Sequence, residues 1–217
     1  ANLFRENDRE NVVFFASGVS NSLETDKSAF LREENLIRKT IKENPNKIFI
    51  YFSTCSIYDS SKNGSSYVNH KLKMEQIVEE LANQFLILRV SNAVGKGGNP
   101  NLLMNYLVNA FHQEKEITVH TLATRNLIDA DDVKNITLKF INENSFNKII
   151  NVAYLENFST IQILEILEKH FNKTAKTYLV KSGQSYLISI PEAEAYFAEN
   201  KLTEKKEYLL RIIKRYY

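Results

Sequence analysis

Ile48-Phe49-Ile50-Tyr51-Phe52-Ser53-Thr54-Cys55-Ser56-Ile57-Tyr58, followed after a Ser/Gly-rich bend by Tyr67-Val68-Asn69-His70-Lys71, decides how this chain is read. The first five residues are apolar without alternation, as in a strand buried on both faces, and the hydroxyl residues follow at its C-terminal end. In an open α/β sheet that end is where ligands bind. Tyr67 and Lys71 stand four apart, so on a helix they share a face, one turn from each other. An ammonium beside a phenol favours the tyrosinate and points to proton transfer, with Thr54 as hydrogen-bond partner of a substrate oxygen. Met74, Val78 and Leu81 extend the same stripe, so this face is expected to look inward.

Tyr-x-x-x-Lys alone is a weak signal, because a chain with this many tyrosines and lysines holds about one such pair by chance. Tyr58 and Lys62 form a second pair. Asp59-Ser60-Ser61 between them is turn chemistry that breaks the helix needed to align it, so this pair is set aside.

Outward from this stretch the chain alternates strand and helix. Asn11-Val12-Val13-Phe14-Phe15 reads as a buried strand running into the small-residue loop Ala16-Ser17-Gly18, and 28–42 reads as a helix stopped by Asn44-Pro45-Asn46. A helix over 67–83 leads to the buried strand 85–90. Further on, a helix is expected over 102–111, a strand over 116–122, a helix over 131–142, a strand over 148–153 and an amphipathic helix over 160–171. One or two helices close the chain from Pro191. Apolar strands in β-α-β order predict an α/β fold with a parallel sheet covered on both faces.

Composition sets the bounds. The chain has 217 residues, 43% hydrophobic and 25% charged, which suits a globular protein with a substantial interior. Net charge is +2, from 28 basic against 26 acidic residues, and no long basic block points to nucleic acid. The single cysteine excludes an internal disulfide and fits a reducing, cytoplasmic setting. No apolar run is long enough to span a bilayer. The four histidines have no metal-ligand spacing, and no metal is expected. His70 is expected to face solvent, Cys55 to be a buried structural thiol, and Asp132 to cap the helix after it. Gly95-Lys96-Gly97-Gly98 lacks P-loop spacing.

The segments 52–58 and 67–71, together with Leu88-Arg89-Val90-Ser91-Asn92-Ala93-Val94-Gly95, resemble the extended short-chain dehydrogenase/reductase family, in its branch of NAD-dependent sugar-nucleotide epimerases and dehydratases. Ala16-Ser17-Gly18 and Thr124-Arg125-Asn126-Leu127-Ile128-Asp129-Ala130-Asp131-Asp132-Val133 match that pattern in order and spacing, so the resemblance spans residue 12 to about 155. It implies a Rossmann-like doubly wound parallel sheet with a small substrate lobe. The cofactor core would comprise 1–95 and 124–153, and the lobe 96–123 and 154–217. It further implies that Thr54 polarises the substrate oxygen, Tyr67 is the acid/base, and Lys71 holds the nicotinamide ribose. Ala16, Ser17, Gly18, Ser53 and Ser91 would line an NAD or NADP site. Asn92 and Arg125 would touch a nucleotide sugar, Arg89 would anchor its strand end, and the helix of Tyr67 would form a homodimer interface.

One departure stands out. The family cradles its dinucleotide pyrophosphate with a Gly-x-x-Gly-x-x-Gly turn at a helix N-terminus, and no glycine precedes Gly18 here. Residues 1–6 read as the last turns of a helix. The expectation is a sheet shortened at the N-terminus, with the given sequence starting after a strand and glycine loop and with a weakened or altered cofactor site. A non-catalytic protein that kept the fold and lost the cradle is the competing expectation.

Overall fold

The structure is a computed structural model describing residues 11–97, 100 and 102–217. The expected helix tail at 1–6 and part of the loop at 96–100 lie outside the described residues. Four strands, β1 (Val12–Phe15), β2 (Ile48–Thr54), β3 (Gln84–Val90) and β8 (Lys148–Val152), form one parallel sheet in the order β1-β2-β3-β8. The register pairs Phe14 with Ile50, Thr54 with Val90, and Leu88 with Ile150, so the hydroxyl end of β2 and the end of β3 finish side by side.

Strand side chains alternate between the two faces, and both faces are buried. Phe15, Phe49, Tyr51, Phe85 and Ile87 pack with Ile37 and Ile41 of α1 (Lys27–Glu43) and with Met74, Ile77 and Val78 of α2 (Ser66–Leu81). Val12, Ile50, Leu86, Leu88, Ile150 and Val152 face the other way, into a larger cluster. That cluster is shared with α3 (Leu103–His112), α4 (Ala130–Asn142), α5 (Thr160–Phe171), α6 (Pro191–Glu199) and α7 (Lys205–Tyr216). The doubly wound parallel sheet expected from the sequence is present.

Short strands assemble the remainder. β4 (Asn92–Val94) pairs with β7 (Leu127–Asp129), β5 (Ile117–His120) with β10 (Thr177–Val180), and β6 (Thr124–Arg125) antiparallel with β9 (Phe158–Ser159). β10 has no expectation in the sequence reading, since four residues with Tyr178 and Leu179 more than half exposed leave no burial pattern to detect.

The buried stripe of α1 is Glu33, Ile37 and Ile41, four residues apart, while Leu31 is exposed. Two local expectations change. Leu81, in the last turn of α2, is also exposed, although Met74 and Val78 are fully buried. Asp129, and not Asp132, caps α4, its carboxylate accepting from the Asp131 amide. Asp132 sits one turn inside and accepts from the hydroxyls of Tyr196 and Tyr208, both at 2.8 Å, and from Arg211. This carboxylate ties α6 and α7 to α4.

Candidate active site

β2 ends in Thr54, and the chain then turns sharply through two 3₁₀ turns, Cys55–Tyr58 and Ser60–Lys62, before α2 begins. Asp59 caps the second turn, so the segment between Tyr58 and Lys62 is not α-helical and the decoy pair is not aligned. The Thr54 hydroxyl oxygen accepts from the Ser56 amide at 3.0 Å, and both Thr54 and Tyr67 border the opening above it. Ser65 caps α2 through the Val68 amide and so sets the helix phase that brings Tyr67 to Thr54.

A cleft of about 570 Å³ opens over this strand end. Of the expected residues, Thr54, Tyr67, Lys71, Ala16, Gly18, Ser53, Ser91, Asn92 and Arg125 all border it, whereas Ser17 is exposed and lies off its wall. Several of these side chains already have protein partners. The Ser53 hydroxyl donates to Glu75 at 2.5 Å, because neighbouring strand residues point to opposite faces. Ser91 donates to Asn126 at 2.8 Å, and the Asn92 amide to the Asn126 carbonyl at 2.8 Å. Arg125 reaches the Thr124 carbonyl at 2.7 Å. Arg89 anchors its strand end, as expected, by a two-pronged contact with Glu75. Cys55 is buried and donates to the Arg89 carbonyl, and burial pushes its thiol up to about 12.

Lys71 is almost fully buried. Its ammonium donates to Glu33 Oε1 at 3.0 Å, to the Tyr51 hydroxyl at 3.0 Å and to the Phe52 carbonyl at 3.3 Å. An ammonium has three N–H groups, so all of them are engaged. Burial pushes its pKa down and the Glu33 charge pulls it back up. Tyr67 does not show the lowered pKa that its spacing suggests. Burial pushes the phenol up, the neighbouring Thr54 hydroxyl partly offsets this, and the Glu33 charge adds to the rise. With Lys71 paired to a carboxylate, its charge is largely neutralised as seen from Tyr67.

Glu33 is the residue that the sequence reading missed. Its carboxylate has no solvent exposure and four donors: Lys71 and Tyr51 (2.8 Å) on Oε1, the Val19 amide (2.7 Å) and His70 Nε2 (2.9 Å) on Oε2. Burial opposes its charge, but His70, Lys71, Val19 and Tyr51 together outweigh it and hold the carboxyl at about 2. His70 is therefore not solvent-facing; it is buried, stacked on Phe30 with ring centroids 4.5 Å apart. The available signal was the four-residue spacing of Glu33 with Ile37 and Ile41, which places Glu33 on the inward face of α1.

The model of the NAD dependent epimerase/dehydratase family matches residues 2–153. The chain belongs to this family. The matched span contains β1, β2, the Thr54-to-Lys71 segment and β8. Among solved structures, UDP-glucuronic acid 4-epimerase from Bacillus cereus, in complex with UDP-glucuronic acid and NAD, is similar at TM-score 0.72 and 18% identity. That match covers 95% of this chain and 79% of the other. The dTDP-glucose 4,6-dehydratase from Bacillus anthracis, in complex with NAD, gives TM-score 0.69 at 14% identity, covering 97% and 76%. UDP-N-acetylglucosamine 4-epimerase from Bacillus cereus gives 0.64 at 16%, covering 91% and 77%. At these identities the likeness is one of fold. No curated protein matches the chain by sequence. Among the described residues no helix is long and apolar enough to cross a membrane.

Proposed function

We propose that this family member is an NAD(P)-dependent sugar-nucleotide epimerase, dehydratase or reductase in which Thr54, Tyr67 and Lys71 act together. The observation that carries the reading is the gathering of Thr54, Tyr67 and Lys71 on the wall of one cleft at the end of β2, closed on another side by the 16–19 loop. The division into a cofactor core (1–95 and 124–153) and a substrate lobe (96–123 and 154–217) is part of the same reading. So is a nucleotide sugar lying toward Asn92 and Arg125.

Ala16, Gly18, Thr54 and Tyr67 fit the nicotinamide-ribose half of such a cofactor, while the Lys71 N–H groups are all engaged within the protein. Gly18 lies so close over the Lys71–Glu33 pair that a Cβ there would stand 2.9 Å from Lys71 Nζ. The loop backbone thus runs directly over Lys71, with Ala16, Val19, Thr54 and Tyr67 around the same opening. The Gly-rich pyrophosphate turn is not among these residues, so only this half is assigned.

The dinucleotide, when bound, supplies hydride transfer. The protein's own work is to place the sugar oxygen and move its proton. Tyr67, with its pKa raised, holds its proton at neutral pH and can give it to, or recover it from, an oxygen in hydrogen-bond reach. Thr54 lines the same opening as the phenol. Lys71, held by Glu33, Tyr51 and the Phe52 carbonyl, forms a rigid polar floor one helical turn from Tyr67.

Titration of NADH and NADPH fluorescence on the protein tests the cofactor, and Tyr67→Phe tests the chemistry. Binding, with turnover falling about 100-fold or more and affinity nearly unchanged in Tyr67→Phe, is the expected result. No binding at millimolar dinucleotide would overturn it. One observation favours a second reading, a ligand-binding protein without turnover: Lys71 has no N–H left for a ribose hydroxyl. Retained binding with no turnover of any sugar nucleotide would support that reading instead.

A further inference from the structure

We infer that Glu33 is the positioning residue of this cleft: its buried carboxylate clamps the 16–19 loop to Lys71, and the loop presents the ligand-binding backbone that Lys71 itself does not. The inference rests on reading the cleft as a dinucleotide site. Its structural half, the clamp, stands on geometry alone.

One carboxylate joins three elements that meet at the cleft. Oε2 accepts from the Val19 amide at 2.7 Å, at the end of the loop that follows β1. Oε1 accepts from Lys71 of α2 at 3.0 Å and from Tyr51 of β2 at 2.8 Å. Gly18, next to Val19, packs directly on the clamp: a Cβ would come within 2.6 Å of Glu33 Oε1 and 2.9 Å of Lys71 Nζ. Loop, carboxylate and ammonium are thus in contact with no intervening atom, and the loop cannot lift without breaking a charge-assisted hydrogen bond in a dry interior.

The residue type follows from the surroundings. Lys71 is buried and needs a compensating negative charge, which a glutamine would not provide. Four donors converge on the two oxygens, and only a carboxylate accepts from all of them without presenting an N–H of its own. An aspartate, one methylene shorter, would reach either the Val19 amide or Lys71 but not both. The engagement of all three Lys71 N–H groups gives the clamp its consequence. Lys71 acts as a fixed charge and as a floor for the loop, and polar contact with a ligand falls to the backbone and hydroxyls above it.

The experiment uses the full chain and two variants, Glu33→Gln and the double variant Glu33→Leu with Lys71→Met. The double variant removes both buried charges together, which proteins tolerate far better than losing one partner. Three quantities are read: amide hydrogen exchange at Val19, exchange across β2 and α2, and NADH affinity. In both variants Val19 exchange is expected to rise at least tenfold with β2 and α2 still protected, and NADH binding to weaken at least tenfold. Wild-type exchange at Val19 in a folded variant overturns the clamp. Loss of protection across β2 and α2 together with Val19, in the double variant, also overturns it, because Glu33 would then hold the whole fold. If the wild-type chain binds no NADH, the functional reading fails while the exchange data still decide the clamp.

Discussion

Arg89 and Glu75 form a two-pronged ion pair, 2.6 Å at its shorter arm, that fastens the end of β3 to α2 one turn beyond Lys71. Glu75 is nearly fully buried and also accepts the Ser53 hydroxyl, so β2, β3 and α2 are locked together directly beneath the cleft. Tyr67, Lys71 and Glu75 lie at four-residue intervals, and one helix face therefore carries the phenol, the ammonium and this anchor.

Removing one partner of this pair leaves a buried charge without compensation. Arg89→Met is expected to lower stability by about 3 kcal/mol. Arg89→Met with Glu75→Gln should recover more than half of that, read as melting temperatures of the three proteins.

Thr54 acts on two neighbours. Thr54→Val removes the acceptor of the Ser56 amide, costing about 1 kcal/mol of stability, and the hydroxyl that draws the Tyr67 pKa down. The Tyr67 phenol loses the interaction that lowers its pKa, so its ionisation moves to higher pH. Tyrosine ¹³Cζ NMR, assigned with Tyr67→Phe, measures this, and Thr54→Ser should restore the wild-type titration.

Acid stability reports on the clamp. The Glu33 carboxyl is held at about 2 against an ordinary value of 4.5. The unfolded chain therefore binds its proton first as pH falls. The stabilising contribution is complete above pH 4.5 and is lost progressively between there and about pH 2. Chemical denaturation across this window should show a steeper loss of stability in the wild type than in Glu33→Gln.

The C-terminal helices depend on Asp132. Two buried tyrosine hydroxyls and Arg211 converge on its carboxylate, and Tyr208 stacks on Tyr154 with ring centroids 3.8 Å apart. Asp132→Ala should destabilise the chain by about 3 kcal/mol, a fall of roughly 10 °C in melting temperature. Hydrogen exchange should rise first in α6 and α7. An unchanged melting temperature would show that these helices are held by apolar packing alone.

Much of this was legible from the chain itself. Apolar runs such as 48–52 and 85–90 specify buried parallel strands, because each residue must be apolar whichever face it meets. The caps, the Pro45 stop and the turn residues 59–61 set the helix limits. Tyr67 and Lys71 share a face by helical geometry, and Thr54 sits at the strand end by position, so the three cleft residues could be named without coordinates. What the sequence did not determine is how the polar groups pair across elements. Glu33, 38 residues from Lys71, looks like one more charge on a charged helix, and His70 looks solvent-facing. Their burial depends on α1 and α2 packing side by side on one face of the sheet. Only that packing spends the Lys71 ammonium on a carboxylate, leaves Tyr67 with a raised pKa, and puts the Gly18 backbone against both. Periodicity reports which face of an element is buried; a buried charge is settled by which partners the fold brings within 3 Å of it.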